Sequence, residues 1–116
     1  MRILGTSLRI CVDDLEAAVP VYERLAGTPA ARFELGAVSV AAVGPFLVMS
    51  GPPDELDILR RISATLSVDD VMAAAEALRE VDADILVGPR QTSAGRSLVA
   101  RLPDGTIFEY VDQPDH

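Results

Sequence analysis

Val12-Asp13-Asp14-Leu15-Glu16-Ala17-Ala18 recurs 56 positions later as Val68-Asp69-Asp70-Val71-Met72-Ala73-Ala74. Each copy follows a run with alternating apolar side chains: Leu8, Ile10 and Val12 before the first, Ala64, Leu66 and Val68 before the second. That is the period of a strand with one buried face. Each copy then opens a run with apolar residues at helical spacing. These are Leu15, Ala18, Val19, Tyr22 and Leu25 in one, and Val71, Ala74, Ala75 and Leu78 in the other. An aspartate between strand and helix accepts hydrogen bonds from the first unpaired N–H groups of the helix. Asp13, Asp14, Asp69 and Asp70 have the look of metal-binding pairs, but their place at strand-to-helix junctions favours capping.

Working outward, Gly27 reads as the C-cap of the first helix. Pro20 inside that helix is expected to kink it or loosen its first turns. Strands are expected at 31–35, 38–43 and 46–50, with turns at Gly36 and Gly44-Pro45. After the second helix, strands are expected at 85–87, 98–102 and 106–111. Pro103-Asp104-Gly105 is a tight turn, in which Pro sets φ and Gly supplies φ > 0. Gly51-Pro52-Pro53 and a short helical piece near 54–61 join the halves. Residues 91–96 read as a polar loop, with Arg90, Arg96 and Arg101 in or near it solvated. Residues 113–116 read as a frayed tail. Both halves are therefore β-α-β-β-β, about 5–51 and 62–112, with a linker at 52–61. The expected fold is one α+β domain over 1–112. Its two tandem units form curved mixed sheets around a cleft, with the helices outside.

Composition bounds the function. The chain has 116 residues, 49% hydrophobic and 24% charged, enough for a core of its own. Its net charge is −8, with no Lys/Arg cluster, which argues against nucleic acid and anionic membranes as partners. No apolar run approaches the roughly 20 residues of a membrane span. The opening Met1-Arg2-Ile3-Leu4-Gly5 does not read as a signal peptide. The single cysteine, Cys11, rules out a disulfide or thiolate cluster within the chain and fits a cytoplasmic setting.

The repeat and the closing run Pro103-Asp104-Gly105-Thr106-Ile107-Phe108-Glu109-Tyr110 resemble the vicinal oxygen chelate superfamily. That superfamily includes glyoxalases, ring-cleaving dioxygenases, and bleomycin- and fosfomycin-resistance proteins. The resemblance covers nearly the whole chain. It implies a ligand position on the first and last strand of each half, usually filled by His, carboxylate or amide around one divalent ion. Matched position by position, these fall on Ser7, Ser63, Val48 (through Gly44 and Gly105) and Glu109. Serine hydroxyls are poor donors for Zn, Ni, Mn or Fe, and valine is none, so no metal or other cofactor is expected. His116 lies in the tail.

If those positions point inward, strand alternation assigns their neighbours. The expected cleft is lined by Ser7, Arg9 and Cys11, by Ser63, Thr65 and Ser67, by Phe46 and Val48, and by Ile107 and Glu109. Such a mixed apolar and hydroxyl surface with one or two charges suits a small molecule. Arg9 is a clamp for an anionic ligand group, an ion-pair partner of Glu109, or a residue exposed on an edge strand. Cys11 reads as a small hydrophobe, and Phe46 and Tyr110 as core rather than stacking platforms. The resemblance implies a homodimeric, metal-free protein that sequesters an antibiotic or metabolite. The alternatives are a metal-independent lyase or isomerase with Glu109 as base, or a regulatory domain with a vestigial cleft.

Overall fold

The computed structural model describes residues 1–92 and 95–112. The expected tail at 113–116, with His116, lies outside them. Among the described residues, eight strands and three helices run in the order β1 (Ile3–Cys11), α1 (Leu15–Ala26), β2 (Ala31–Leu35), β3 (Val38–Val43), β4 (Phe46–Ser50), α2 (Pro53–Arg60), β5 (Ala64–Val68), α3 (Val71–Glu80), β6 (Asp84–Thr92), β7 (Gly95–Arg101) and β8 (Ile107–Asp112). The class is α+β.

Two compact units emerge: residues 7–61, and residues 1–6 with 62 onward. In the first, the strand order is β2-β3-β4-β1. β2, β3 and β4 are antiparallel neighbours, and β4 runs parallel to β1. In the second, the order is β5-β8-β7-β6, with β5 parallel to β8 and the rest antiparallel. The repeated sequence thus yields one topology twice, its first strand lying parallel beside its last. The N-terminal residues join the second unit through two hydrogen bonds between Arg2 and Asp69. The Arg2 N–H donates to Asp69 Oδ1 at 2.8 Å, and the Asp69 N–H to the Arg2 carbonyl at 3.1 Å.

The caps act as their sequence suggests. Asp14 accepts from the Ala17 N–H, and Asp70 from the Met72 N–H. Gly27 closes α1 in the left-handed region at φ 69°. Pro20 leaves α1 an unbroken twelve-residue helix. Its absent N–H costs one ladder bond, at the carbonyl of the solvent-exposed Glu16.

Residues 91–96 are not simply a loop. Arg90 pairs with Ser97, Gln91 with Arg96 and Thr92 with Gly95, while residues 93–94 fall outside the described set. Proline is normally confined to edge strands and bulges, and Pro89 lies in β6, at the edge of its sheet. Here register shifts between Ile85 and Val87, and between Val87 and Arg90, absorb it. Gly88 makes this fit possible. Its φ is 84°, and a Cβ there would lie 2.6 Å from the Ser97 carbonyl oxygen.

The second unit has one core: Leu66, Val68, Leu98, Ala100 and Tyr110 pack against Val71, Ala74, Ala75 and Leu78 of α3. The first unit buries apolar residues on both sheet faces. Ala41, Val43 and Val48 meet Leu15 and Val19 of α1, while Val38, Val40 and Met49 meet Leu56 of α2.

Candidate functional site

In the second unit, α3 takes one face of the sheet, so the alternate residues turn to the other. Parallel pairing sets Thr65 beside Glu109 and Ser67 beside Val111. On the opposite side of β8, antiparallel pairing sets Val99 beside Glu109 and Ser97 beside Val111. The Thr65 hydroxyl donates to Glu109 Oε1 at 2.9 Å. Thr65 and Ser97 are buried, and Glu109 is half-buried. Ser63 stands at the entry of β5, where its N–H donates to the Ile107 carbonyl at 2.7 Å. The structure thus gathers Thr65, Ser67, Ile107 and Glu109 on one face. It carries a carboxylate among hydroxyls and aliphatic side chains.

In the first unit, Arg9 pairs with Leu47 and Cys11 with Met49, on the face away from α1. Ser7 precedes them on the same side of β1. Arg9 Nη2 lies 3.9 Å from Met49 Sδ, and Cys11 packs half-buried beside Met49 and Leu56.

Phe46 and Val48 are placed differently from the sequence expectation. Both face α1. The Phe46 ring meets Tyr22 edge-on at 5.0 Å, and Val48 is fully buried with Leu15 and Val19. Counting from Gly44 and Gly105 assumes equal spacing between turn and strand. The registers show otherwise: Arg9 and Thr65, 56 apart in the repeat, pair with Leu47 and Glu109. Leu47 is therefore the counterpart of Glu109, and a slip of one residue exchanges the faces of a strand. The run 46–49 is apolar throughout and gives no alternation to read. The clue is aromatic: Phe46 matches Phe108, whose ring also lies on the helix side.

The correction leaves the donor chemistry unchanged. Leucine offers a metal no more than valine does. Among the described residues, no three of His, Cys, Asp and Glu come together as a set that could hold a metal ion.

A second polar cluster escapes the sequence reading. The Asp112 side chain is 1% exposed. It accepts from Arg96 Nη2 at 2.7 Å, from Arg96 Nε at 3.2 Å and from the Val71 N–H at 2.7 Å. Arg96 also reaches Asp70 at 3.4 Å. Burial by itself raises the Asp112 carboxyl, but the hydrogen bonds from Arg96 and Val71, with the guanidinium charge, outweigh it. The group stays below the usual carboxylate range. Arg96 is thus no solvated loop residue. It neutralises a buried acid that fastens the start of α3 to the end of β8. Arg101 sits at the surface, 3.2 Å from Asp84.

The first unit also has a crevice of about 140 Å³ on its α1 side, lined in part by Glu16, Arg32, Glu34, Ser39 and Ser50. Its polar groups satisfy one another: Arg32 bridges to Glu16 at 2.7 Å, and the Ser39 hydroxyl donates to Glu34 at 2.8 Å. Exposed pairs of this kind contribute little, and nothing there converges on a ligand.

A crystal structure of an uncharacterized Methanosarcina mazei protein superposes with a TM-score of 0.91 at 35% identity, covering 97% of this chain and 94% of that one. The chain belongs to the same family as that protein. Its fold is that of the vicinal oxygen chelate superfamily. Methylmalonyl-CoA epimerase from Streptomyces coelicolor, in complex with 2-nitronate-propionyl-CoA, matches at TM-score 0.70 and 18% identity, covering 97% of this chain and 94% of that one. The Mycobacterium tuberculosis epimerase matches at 0.69 and 16%, covering 95% and 88%. At these identities the likeness is one of fold. No family model and no curated protein matches the sequence. No helix among the described residues is long and apolar enough to cross a membrane.

Proposed function

We propose that this chain binds a small organic molecule without a transition metal, and that the Glu109 face of the second unit receives it. The observation that carries this reading is the Thr65–Glu109 pair. A half-buried carboxylate is held by a buried hydroxyl amid Ser67, Val99, Ile107 and Val111. A few fixed polar groups on an otherwise apolar wall are what orient a small ligand. The positions that correspond to the superfamily's metal ligands hold Ser7, Leu47, Ser63 and Glu109, a set too poor in donors for a catalytic divalent ion. Arg9, on the corresponding face of the first unit, is a clamp for an anionic group. Sequestration of an antibiotic or metabolite, a homodimer, a cytoplasmic setting and a single domain over 1–112 belong to the same proposal. Phe46 and Val48 are left out of it, because α1 covers them.

Solved structures with this fold hold CoA esters, methylmalonyl-CoA among them. They therefore belong in a thermal-shift panel beside antibiotics and metabolites. A ligand that binds only the folded chain raises its midpoint. The reading predicts a hit whose shift is lost in Glu109→Gln. No shift across the panel, or stoichiometric transition metal in the purified protein, would overturn it. The epimerase likeness favours one second reading, a metal-independent isomerase with Glu109 as base. Solvent deuterium entering the α-carbon of an acyl-CoA, and not doing so with Glu109→Gln, would support that reading over simple binding.

A further inference from the structure

β2 and β6 are end strands, and they are finished differently. An end strand offers a row of backbone donors and acceptors to any second strand, and proteins blunt such edges with proline, bulges or charges. β6 carries Pro89 and two register shifts. β2 has neither. Its five residues, Ala31-Arg32-Phe33-Glu34-Leu35, pair one to one with β3 without a break. A two-residue turn joins these strands, so Leu35 and Val38 close it as a hydrogen-bonded pair. By alternation, Phe33 and Ala31 also turn their backbone groups to β3. The N–H and C=O groups of Arg32 and Glu34 turn outward.

The side chains of β2 are self-complementary. Arg32 and Glu34 lie on the α1 face, where Arg32 meets Glu16 and Glu34 meets Ser39. Ala31, Phe33 and Leu35 lie on the other face, with Phe33 half-buried and Leu35 40% exposed. A second copy of the strand, antiparallel about a dyad at Phe33, sets Arg32 opposite the partner's Glu34 and Glu34 opposite the partner's Arg32. These are the residues whose backbone groups point outward, so both are hydrogen-bonded pairs. On the other face Leu35 falls opposite the partner's Ala31, large against small, and Phe33 opposite the partner's Phe33. A dyad at Arg32 or at Glu34 would instead set like charges against each other, which destabilises a strand pair. Charge therefore selects one register.

We propose that the chain dimerises through β2, which adds to β2 of a second copy in antiparallel register about Phe33. Such an interface presents the same patch from both copies and gains its main-chain hydrogen bonds from the open edge. It rests on the homodimer reading above and gives that dimer its contact surface. The Arg32–Glu16 pair is exposed and contributes little, so it does not hold Arg32 back from a partner.

The test is sedimentation equilibrium of the full chain across a wide concentration range. The parent should rise to twice the 12.3 kDa of one chain. Arg32→Glu and Glu34→Arg each place two like-charged pairs across the dyad, and each should weaken the dimer roughly tenfold or more. Combining the two substitutions restores opposite charges and should recover most of the parent's affinity, although it cannot restore the Arg32–Glu16 bridge. Glu34→Pro removes an outward N–H and leaves the β3 ladder intact. It should give a monomer with the parent's circular-dichroism spectrum. A dimer indifferent to Arg32→Glu and Glu34→Pro overturns the β2 interface and leaves the homodimer standing. A dimer that the combined variant fails to recover overturns the register. A monomer at every concentration overturns both the interface and the homodimer.

Discussion

Replacing Asp112 by asparagine removes one charge and almost no volume. The amide side chain still offers one oxygen, but its NH₂ turns a donor toward either Arg96 or the Val71 N–H, both of which now donate to the carboxylate. Hydrogen bonds to a charged group contribute about 1.5–3 kcal/mol. Arg96 is 34% exposed, so water recovers part of that loss. The expected cost is about 1–2 kcal/mol, or roughly 4–8 °C in melting temperature for a chain of this size. The pH dependence separates charge from packing. Folding lowers the Asp112 pKa, so its stabilisation is complete above the unfolded value of 3.8 and is lost as pH falls through the lower folded value. Circular-dichroism melts of the parent and Asp112→Asn should therefore differ at neutral pH. The gap should begin to narrow as pH falls below about 4 and close only below the lower folded value, where the parent's own carboxyl is protonated in the folded state as well. Asp69 and Asp104 also titrate low, but they are common to both proteins and cancel in the difference. Equal melting temperatures at neutral pH, or a gap that persists unchanged into acid, would refute the argument.

Leu98 is fully buried against α3, so Leu98→Ala should cost about 2–5 kcal/mol in urea unfolding. Leu25, 70% exposed on α1, should cost less than about 0.5 kcal/mol on the same substitution. Gly88→Ala meets both a positive φ and the Ser97 carbonyl, and should destabilise by about 1–3 kcal/mol. Backbone amide exchange should show the loss concentrated in β6 and β7.

The sequence alone determined the repeat, the strand-to-helix junctions and the α+β class. These rest on local chemistry: a two-residue period, a 3.6-residue period and an aspartate where each helix begins. It also placed Arg9 and Cys11 on the face away from α1, and Thr65, Ser67 and Glu109 on the face away from α3. In β1, β5 and β8, polar and apolar residues alternate well enough to show which side is buried. The tertiary structure decided what the local pattern left without contrast. Phe46-Leu47-Val48-Met49 is apolar on both sides, because α1 buries one face of β4 and α2 the other. Only the pairing with β1 showed that Leu47, not Val48, answers to Glu109. Arg96 and Asp112 lie sixteen residues apart on neighbouring strands, and nothing local links them. Their pairing depends on the β7–β8 register and on the buried start of α3, and so does the charge on Asp112.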